Sequence, residues 1–481
     1  MTGVVIVGGG PAAHRLAARL VGYGHPGGVT VVGAEPRPAY HRALLGSVLD
    51  GTLDAGRLAL PALPAEVRQL TGVRVTAVDR ARRTVRTGDG RALPYDVLVL
   101  ATGARPRVPP VPGLETGPGR LAEGVRAVRT AADCRPLSER PVVVLGGGIR
   151  GVETAWALSG TGQEVALVHP AGHLMERHLD AAGAAVPAAW LAGRGVTLHL
   201  GRRAAEYTPG KVVLDDGQVL AAGTVLLCTG TVAETALARA SGLDVREGVV
   251  VDALLRTGDP RVHAIGDCAE HAGAVGTTVL QAWEQAEALA LTLTGRQRPY
   301  APGRRVLRPR TPGKDMVVLP PAGPARPDNT DGTDDTDGTD DIDGTVSLLD
   351  RAGGRHARLV LRDGRLHEGA VIGSPSAVAA VSRLYARDEP VPADLLALLT
   401  GADGAYAGDG TLPDEAVVCH CNNVTGKALK DAWHRGAHDE AALARATRAT
   451  TGCGGCASVV RRLCTTLADD GDDTPAEGAT P

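Results

Sequence analysis

Short apolar runs without polar alternation recur along the first 300 residues, each leading into a turn or a stretch with apolar positions at helical spacing. Val4-Val5-Ile6-Val7 enters Gly8-Gly9-Gly10-Pro11-Ala12-Ala13 and then an Ala- and Leu-rich stretch from Leu16 to Leu20. Val142-Val143-Val144-Leu145 enters Gly146-Gly147-Gly148-Ile149-Arg150-Gly151 and continues from Thr154 to Leu158 in the same way. An unbroken β-branched run suits a strand buried on both faces, so each copy reads as strand, turn, helix. A second pair follows in register: Val97-Leu98-Val99-Leu100 before Ala101-Thr102-Gly103, and Val225-Leu226-Leu227-Cys228 before Thr229-Gly230. The pattern predicts an α/β fold with two Rossmann-like dinucleotide-binding domains in tandem.

Beyond about residue 300 the rhythm changes. A Pro- and Arg-rich stretch from Tyr300 to Thr311 leads to Thr-Asp-Gly near-repeats, and Asp328 to Gly344 is almost free of apolar residues. Such a stretch does not offset the entropy of ordering itself, which predicts an acidic disordered insert. A calcium loop there would begin at Thr339 and reach Asp350, not Glu, at its twelfth position, which speaks against calcium. Apolar alternation resumes at Thr345–Leu349, Ala357–Leu361 and Gly369–Ile372 and predicts a small antiparallel sheet. The last compact piece runs from about Pro413 to Leu467, and an acidic tail follows.

At roughly 100–200 residues per domain, a chain of 481 residues suggests three or four globular units. A net charge of −3 and 2% aromatic residues supply neither a basic field nor stacking platforms, so no nucleic-acid partner is expected. No apolar run approaches the roughly 20 residues of a bilayer span, so no membrane partner is expected either. Val4 follows the start with no charged leader segment, which points to the cytoplasm. In that compartment the eight cysteines are not expected to be disulfide staples.

The glycine turns carry the first candidate chemistry. Gly8-x-Gly10-Pro11-x-Ala13 opens a helix straight after a strand, and Glu35 stands just past the next run, Val29 to Val32. Gly8 allows the tight turn and Gly10 lets a pyrophosphate approach the backbone. Ala13 keeps helix and strand close, and the helix N-terminus meets the negative charge. Glu35 is the candidate acid for ribose hydroxyls. Gly146-x-Gly148-x-x-Gly151-x-Glu153 repeats the device, but its next strand, Glu164 to Val168, ends at His169 where an acid is expected. Arg150 is placed either to meet a 2′-phosphate or to be a plain surface charge, so NADH and NADPH both stay open. Two such sites imply two dinucleotides, most economically a tightly held flavin and a diffusing nicotinamide.

In the order of these motifs, the first 300 residues resemble the two-dinucleotide flavoprotein superfamily. The resemblance implies FAD in the first site and NAD(P)H in the second. It places Ala101, Thr102 and Gly103 near FAD, and Gly266 and Asp267 of Val262-His263-Ala264-Ile265-Gly266-Asp267 on the flavin side. Gly230 is the matching turn residue of the second domain. Glu35 to Leu45 and His173 to Asp180 are similar to the flavin domain of the large subunit of assimilatory NAD(P)H-nitrite reductases. That likeness implies that Arg42 neutralises FAD phosphate; Glu153 is expected to position the nicotinamide side of the second site. The chain departs from the pattern at His169, and at Thr231-Val232-Ala233, where an Arg-Pro pair is common.

Cys419-His420-Cys421 and, after 31 residues, Cys453-Gly454-Gly455-Cys456 form the second candidate site. Paired thiolates at these spacings can converge on one centre, and Val424 to Arg448 is long enough for two short helices. Glycines beside them let backbone N–H groups point at sulfur. Zinc is the alternative occupant of such a set. The arrangement resembles the bacterioferritin-associated-ferredoxin-like [2Fe-2S] domain, which implies Cys419, Cys421, Cys453 and Cys456 as cluster ligands. Residues 1–115 with 245–298 then form a discontinuous FAD-binding domain and 116–244 an NAD(P)H-binding domain. A small α+β domain spans 299–405, a small helical iron–sulfur domain 413–467, and a disordered tail 468–481.

No C-x-x-x-x-C pair lies near the first helix, which excludes a dithiol reductase, and no further cysteine set remains for a second cluster. Hydride reduction of a flavin needs no acid or base, so no catalytic residue is assigned. The resemblance implies an NAD(P)H:acceptor oxidoreductase that passes electrons through FAD and [2Fe-2S] to a separate reductase. Assimilatory nitrate reductase is the first expected acceptor and a separately encoded nitrite reductase the second. A diaphorase or NAD(P)H oxidase with a docking or redox-sensing cluster domain is the remaining alternative.

Overall fold

The computed structural model describes residues 3–117, 119–134, 137, 141–321, 344–400, 414, 417–419, 424–450 and 456–469. The acidic stretch 328–343 and the tail from 470 onward lie outside them. The chain divides into two compact units.

The first unit gathers Met1–Arg177, Pro187–Arg304 and Pro321–Thr339. It holds two five-stranded parallel sheets. In the first, Val4–Val7 is central, with Val97–Leu100 on one side and Val29–Gly33 on the other; Val262–Ala264 and Val67–Thr71 complete it. Every residue of Val4–Val7 is buried, as a strand covered on both faces requires. The helix Pro11–Gly22 presents Ala12, Ala13, Leu16, Ala17 and Leu20 as one buried stripe against that sheet and the helix Val279–Leu293. Because Val4–Val7 is flanked by strands reached in opposite directions, its carboxyl end is the switch point where such sheets take ligands.

The second sheet repeats the plan, in the order Val125–Ala127, Thr224–Leu227, Val142–Leu145, Val165–His169 and Thr197–Leu200. Its fourth strand starts one residue later than the expected Glu164 and ends on His169 itself. Thr231–Ala233, where an Arg-Pro pair is the expected pattern, forms an antiparallel pair with Ala104–Pro106.

The second unit gathers His178–Val186, Arg305–Pro320 and Asp340–Pro481. Its antiparallel sheet runs Met316–Leu319, Arg365–Ile372, Arg355–Arg362, Gly344–Asp350. The last of these alternates between half-buried and exposed residues along its whole length, as an edge strand open on one face does. The helix Pro375–Arg387 packs on the sheet; it starts where the Ser374 side chain accepts the Ala377 N–H at 3.3 Å and stops at Asp388 in the left-handed region.

Two short helices, Gly426–His434 and Glu440–Thr447, occupy the stretch between the paired cysteines. Thr425 and Asp439 cap them by accepting the N–H groups of Ala428 and Ala442. With the helix Ala457–Asp469 they close a core around Leu429, Trp433, Leu443 and Val460.

Leu16 is fully buried between sheet and helix. Leu16→Ala is expected to cost about 2–5 kcal/mol of stability, read as a lowered midpoint in denaturant unfolding.

Candidate functional site

Every candidate residue of the first dinucleotide site follows the carboxyl end of a strand of the first sheet. Gly8 has φ +137°, and a Cβ there would stand 2.0 Å from the Ala101 carbonyl oxygen, so the two turns touch backbone to backbone. Gly10 caps the helix and Pro11 takes its first position, where no N–H is lost. Ala13 is fully buried.

Arg42 lies beside this turn, its Nε 3.9 Å from where a Cβ on Gly10 would stand. It forms an ion pair with Glu35 and donates from Nη1 to the Tyr40 hydroxyl and the Arg129 carbonyl, each at 3.0 Å. Tyr40 in turn donates to Glu35 at 2.6 Å and accepts the Ala131 N–H at 3.1 Å. Burial and the bond to Glu35 push the Tyr40 phenol up to about 12, which keeps it a neutral donor. Arg42 and Tyr40 each occupy one Glu35 oxygen, and a carboxylate oxygen has a further lone pair, so ribose hydroxyls fit. Gly9, His14, Val31, Gly33, Arg37 and Leu63 help line a shallow surface depression beside the turn.

On the other side of the switch point, Gly103 has φ +74° and its carbonyl accepts the Glu234 N–H, while Thr102 Oγ1 donates to the Glu234 carbonyl at 2.6 Å. Gly266, at φ +77°, donates its N–H to Gln285 Oε1 at 2.6 Å. Asp267 pairs with Arg129 at 2.6 Å, and Arg129 Nε donates to the Ala104 carbonyl at 3.0 Å. Arg129 therefore joins three candidate segments: the Arg42 loop, the turn at 101–103 and Asp267. Sequence reasoning missed it, because a single Arg 138 residues from its partner carries no local pattern.

The second site is built on the same contacts. Gly146 has φ +107° and would place a Cβ 2.5 Å from the Cys228 carbonyl oxygen; a Cβ on Gly151 would stand 1.8 Å from the Gly146 oxygen. Gly148 caps the helix Ile149–Ser159. Glu153 is largely buried and forms an ion pair with Arg150 at 3.1 Å. Gly230, at φ +89°, accepts the Arg107 N–H through its carbonyl. His169 is 4% exposed, and its ring lies against the turn, with Cγ 2.6 Å from where a Cβ on Gly147 would stand. Its Nε2 meets Glu176 Oε2 at 2.8 Å.

At the third site, Cys419 and Cys456 are buried in one small core. Cys456 Sγ accepts the Thr450 N–H at 3.2 Å, and Thr450 holds a left-handed φ of +66°. Cys421 and Cys453 lie outside the described residues. Burial pushes the thiols of Cys134 and Cys228 up to about 12 and about 11, and raises those of Cys268 and Cys464, which keeps all four protonated and poor ligands.

Residues 2–290 match the family model described as pyridine nucleotide-disulphide oxidoreductase, and residues 417–464 match the BFD-like [2Fe-2S] binding domain. The nitrite reductase [NAD(P)H] of Bacillus subtilis (strain 168) is 27% identical over 479 residues, covering 96% of this chain and 57% of that protein. The assimilatory nitrate reductase electron transfer subunit of the same organism is 26% identical over 481 residues, covering 96% of this chain and 59% of that one. The chain thus spans under three fifths of the length of these two relatives. The covalent putidaredoxin reductase–putidaredoxin complex contains a chain similar in fold, with a TM-score of 0.71 and 26% identity, covering 84% of this chain and 99% of that one. Among the described residues no helix is long and apolar enough to cross a membrane.

Two outcomes are expected. Arg129→Ala removes a charge-assisted contact of the kind that contributes about 1.5–3 kcal/mol, so FAD affinity should fall tenfold or more in fluorescence titration of the stripped protein. Gly151→Val drives a side chain into the Gly146 carbonyl and should abolish nicotinamide binding in calorimetry while the flavin absorbance stays bound through gel filtration.

Proposed function

Because the chain belongs to the pyridine nucleotide-disulphide oxidoreductase family, we propose that it is the NAD(P)H-reduced electron-transfer component of a separate reductase, with assimilatory nitrate reductase as acceptor. The chain is an NAD(P)H-dependent flavoprotein oxidoreductase with FAD and [2Fe-2S] cofactors. When bound, FAD would supply acceptance of one hydride, that is two electrons together, and the cluster one-electron transfer, which lets a two-electron coenzyme serve a one-electron acceptor.

The residues present suit that chemistry. The turn Gly8 to Ala13 turns the N-terminus of its helix toward a pyrophosphate, Arg42 adds positive charge beside it, and Glu35 keeps lone pairs for a ribose. Asp267, oriented by Arg129, accepts from the flavin side, with Ala101, Thr102, Gly103 and Gly266 forming the close backbone wall. In the second domain Gly146, Gly148 and Gly151 cradle the coenzyme pyrophosphate, Gly230 borders it, His169 backs the glycine turn from within, and Glu153 faces the nicotinamide end. Cys419, Cys421, Cys453 and Cys456 hold the cluster, and the Thr450 N–H lowers the charge on one sulfur.

In this reading residues 1–115 with 245–298 bind FAD, 116–244 bind NAD(P)H, 299–405 form a small α+β domain, and 413–467 carry the cluster in a small helical domain. Neither nucleic acid nor membrane takes part, and the cytoplasm is the expected location.

The observation that carries the choice of acceptor is the likeness to the electron transfer subunit over 481 residues, through both flavin and cluster regions. A separately encoded nitrite reductase is the second reading, favoured by the nearly equal match to nitrite reductase over 479 residues. Purified chain with NAD(P)H should reduce nitrate only when a molybdenum nitrate reductase is added. Turnover with nitrite reductase alone selects the second reading, and fast peroxide formation without any partner overturns both.

Cys456→Ser should cost the cluster, read as loss of its EPR signal and of partner reduction by about 10–100-fold or more, while ferricyanide reduction by NAD(P)H persists.

A further inference from the structure

In dinucleotide folds of this kind the acid for the adenosine ribose stands at the end of the second strand, and here that position is His169. The imidazole does not face solvent. It is folded against the Gly147 backbone and almost wholly buried, so it offers nothing directly to a ligand. Its Nε2 instead reaches Glu176, seven residues on in the loop that follows the strand. A carboxylate only accepts, so Nε2 carries the proton in this pair.

The loop is attached to the glycine turn itself. Met175 donates its N–H to the Gly147 carbonyl at 2.9 Å, and Leu174 Cδ2 lies 2.9 Å from where a Cβ on Gly147 would stand. Met175 holds φ +54°, a left-handed conformation that a non-glycine residue adopts only when its surroundings impose it. These contacts deliver Glu176 to the turn, and its side chain remains 35% exposed. The hydrogen bond from His169 holds the carboxyl below the usual range, which keeps it anionic. The other charge considered for this end of the site, Arg150, is paired with Glu153.

We propose that Glu176, oriented by His169, accepts the adenosine ribose hydroxyls in the second domain, replacing the missing strand-end acid and selecting NADH against NADPH. Its carboxylate binds the 2′- and 3′-hydroxyls of an unphosphorylated ribose and repels a 2′-phosphate. His169 is a positioning residue: it sets the carboxylate and does not touch the coenzyme. The proposal rests on the reading of residues 116–244 as a nicotinamide-nucleotide domain.

The test is calorimetric binding of NAD⁺ and of NADP⁺ to the full-length, FAD-loaded chain, with no turnover required. The wild-type chain should bind NAD⁺ more tightly. Glu176→Gln, at a part-exposed position, should weaken NAD⁺ by about tenfold or more, the loss expected for a hydrogen bond to a charged group, and narrow the gap to NADP⁺. His169→Gln, whose amide still donates toward Glu176, should keep the preference, and His169→Leu should lose most of it with Glu176 intact. An NAD⁺/NADP⁺ affinity ratio unmoved by Glu176→Gln, or a wild-type chain that binds NADP⁺ as well as NAD⁺, overturns the proposal alone. Binding of neither nucleotide overturns the domain reading as well.

Discussion

The nucleotide-binding half of the chain depends on one steric constraint, the approach of a turn to the carbonyl of the neighbouring strand at a distance no side chain permits. A Cβ on Gly8 would overlap Ala101 O, and one on Gly146 would collide with Cys228 O. In each sheet the glycine follows the central strand and the carbonyl ends its parallel neighbour, so the contact fixes two loops at once. The first helix turn is then aimed outward with its N–H groups toward the ligand side, and Ala101-Thr102-Gly103 is held beside it. Gly151 against the Gly146 carbonyl adds a second lock in the coenzyme domain, pulling its helix onto the turn. Binding chemistry at both sites follows from where these contacts leave the backbone.

The two sites solve the same electrostatic problem with different parts. Glu35 is reached by Arg42 and Tyr40, and Tyr40 is itself saturated by Arg42 and the Ala131 N–H. That network holds an acid in place with a full positive charge nearby, which suits a permanently bound, doubly charged pyrophosphate. Glu176 is held by a buried imidazole, with the charge of the neighbouring Arg177 also acting on its carboxylate. On the proposed assignment, a tightly held prosthetic group and an exchanging coenzyme call for this difference: a guanidinium fixed beside the first turn serves affinity, and an acceptor at the second serves discrimination.

The parts of this architecture visible in the sequence are those encoded by local pattern. Val4 to Val7 and Val142 to Leu145 are unbroken buried runs, and the glycines after them have no better explanation than a tight turn. The two helices between the paired cysteines and the three alternating segments of the small sheet are legible for the same reason. Met316–Leu319 is not, because its four apolar residues stand between a Pro- and Arg-rich stretch and Pro320, with no glycine turn and helical segment after them, and pairing with Arg365–Ile372 makes them a strand. Arg129, Gln285 and Glu176 escape a sequence reading because each acts through a tertiary contact, across 138, 19 and 7 residues, and a lone polar side chain has no period. His169 shows the converse: its position is legible, while its direction, inward against Gly147, depends on packing that no residue type announces.

The same distinction bears on the two roles proposed for eight thiols of one chemistry. A thiolate is needed to hold a metal centre, and an apolar surrounding opposes it. Cys134 and Cys228 are left to that opposition, and their thiols rise far above neutral pH. Cys456 is also buried, yet an N–H is turned onto its sulfur by Thr450, a residue held in the left-handed region directly after a helix that itself ends at left-handed Arg448. Two strained residues within three positions exact a conformational cost that only a compensating interaction sustains. Negative charge on the sulfur strengthens that N–H bond, so the strain at this helix end would be offset most with Cys456 in the thiolate form that its proposed role as a ligand needs.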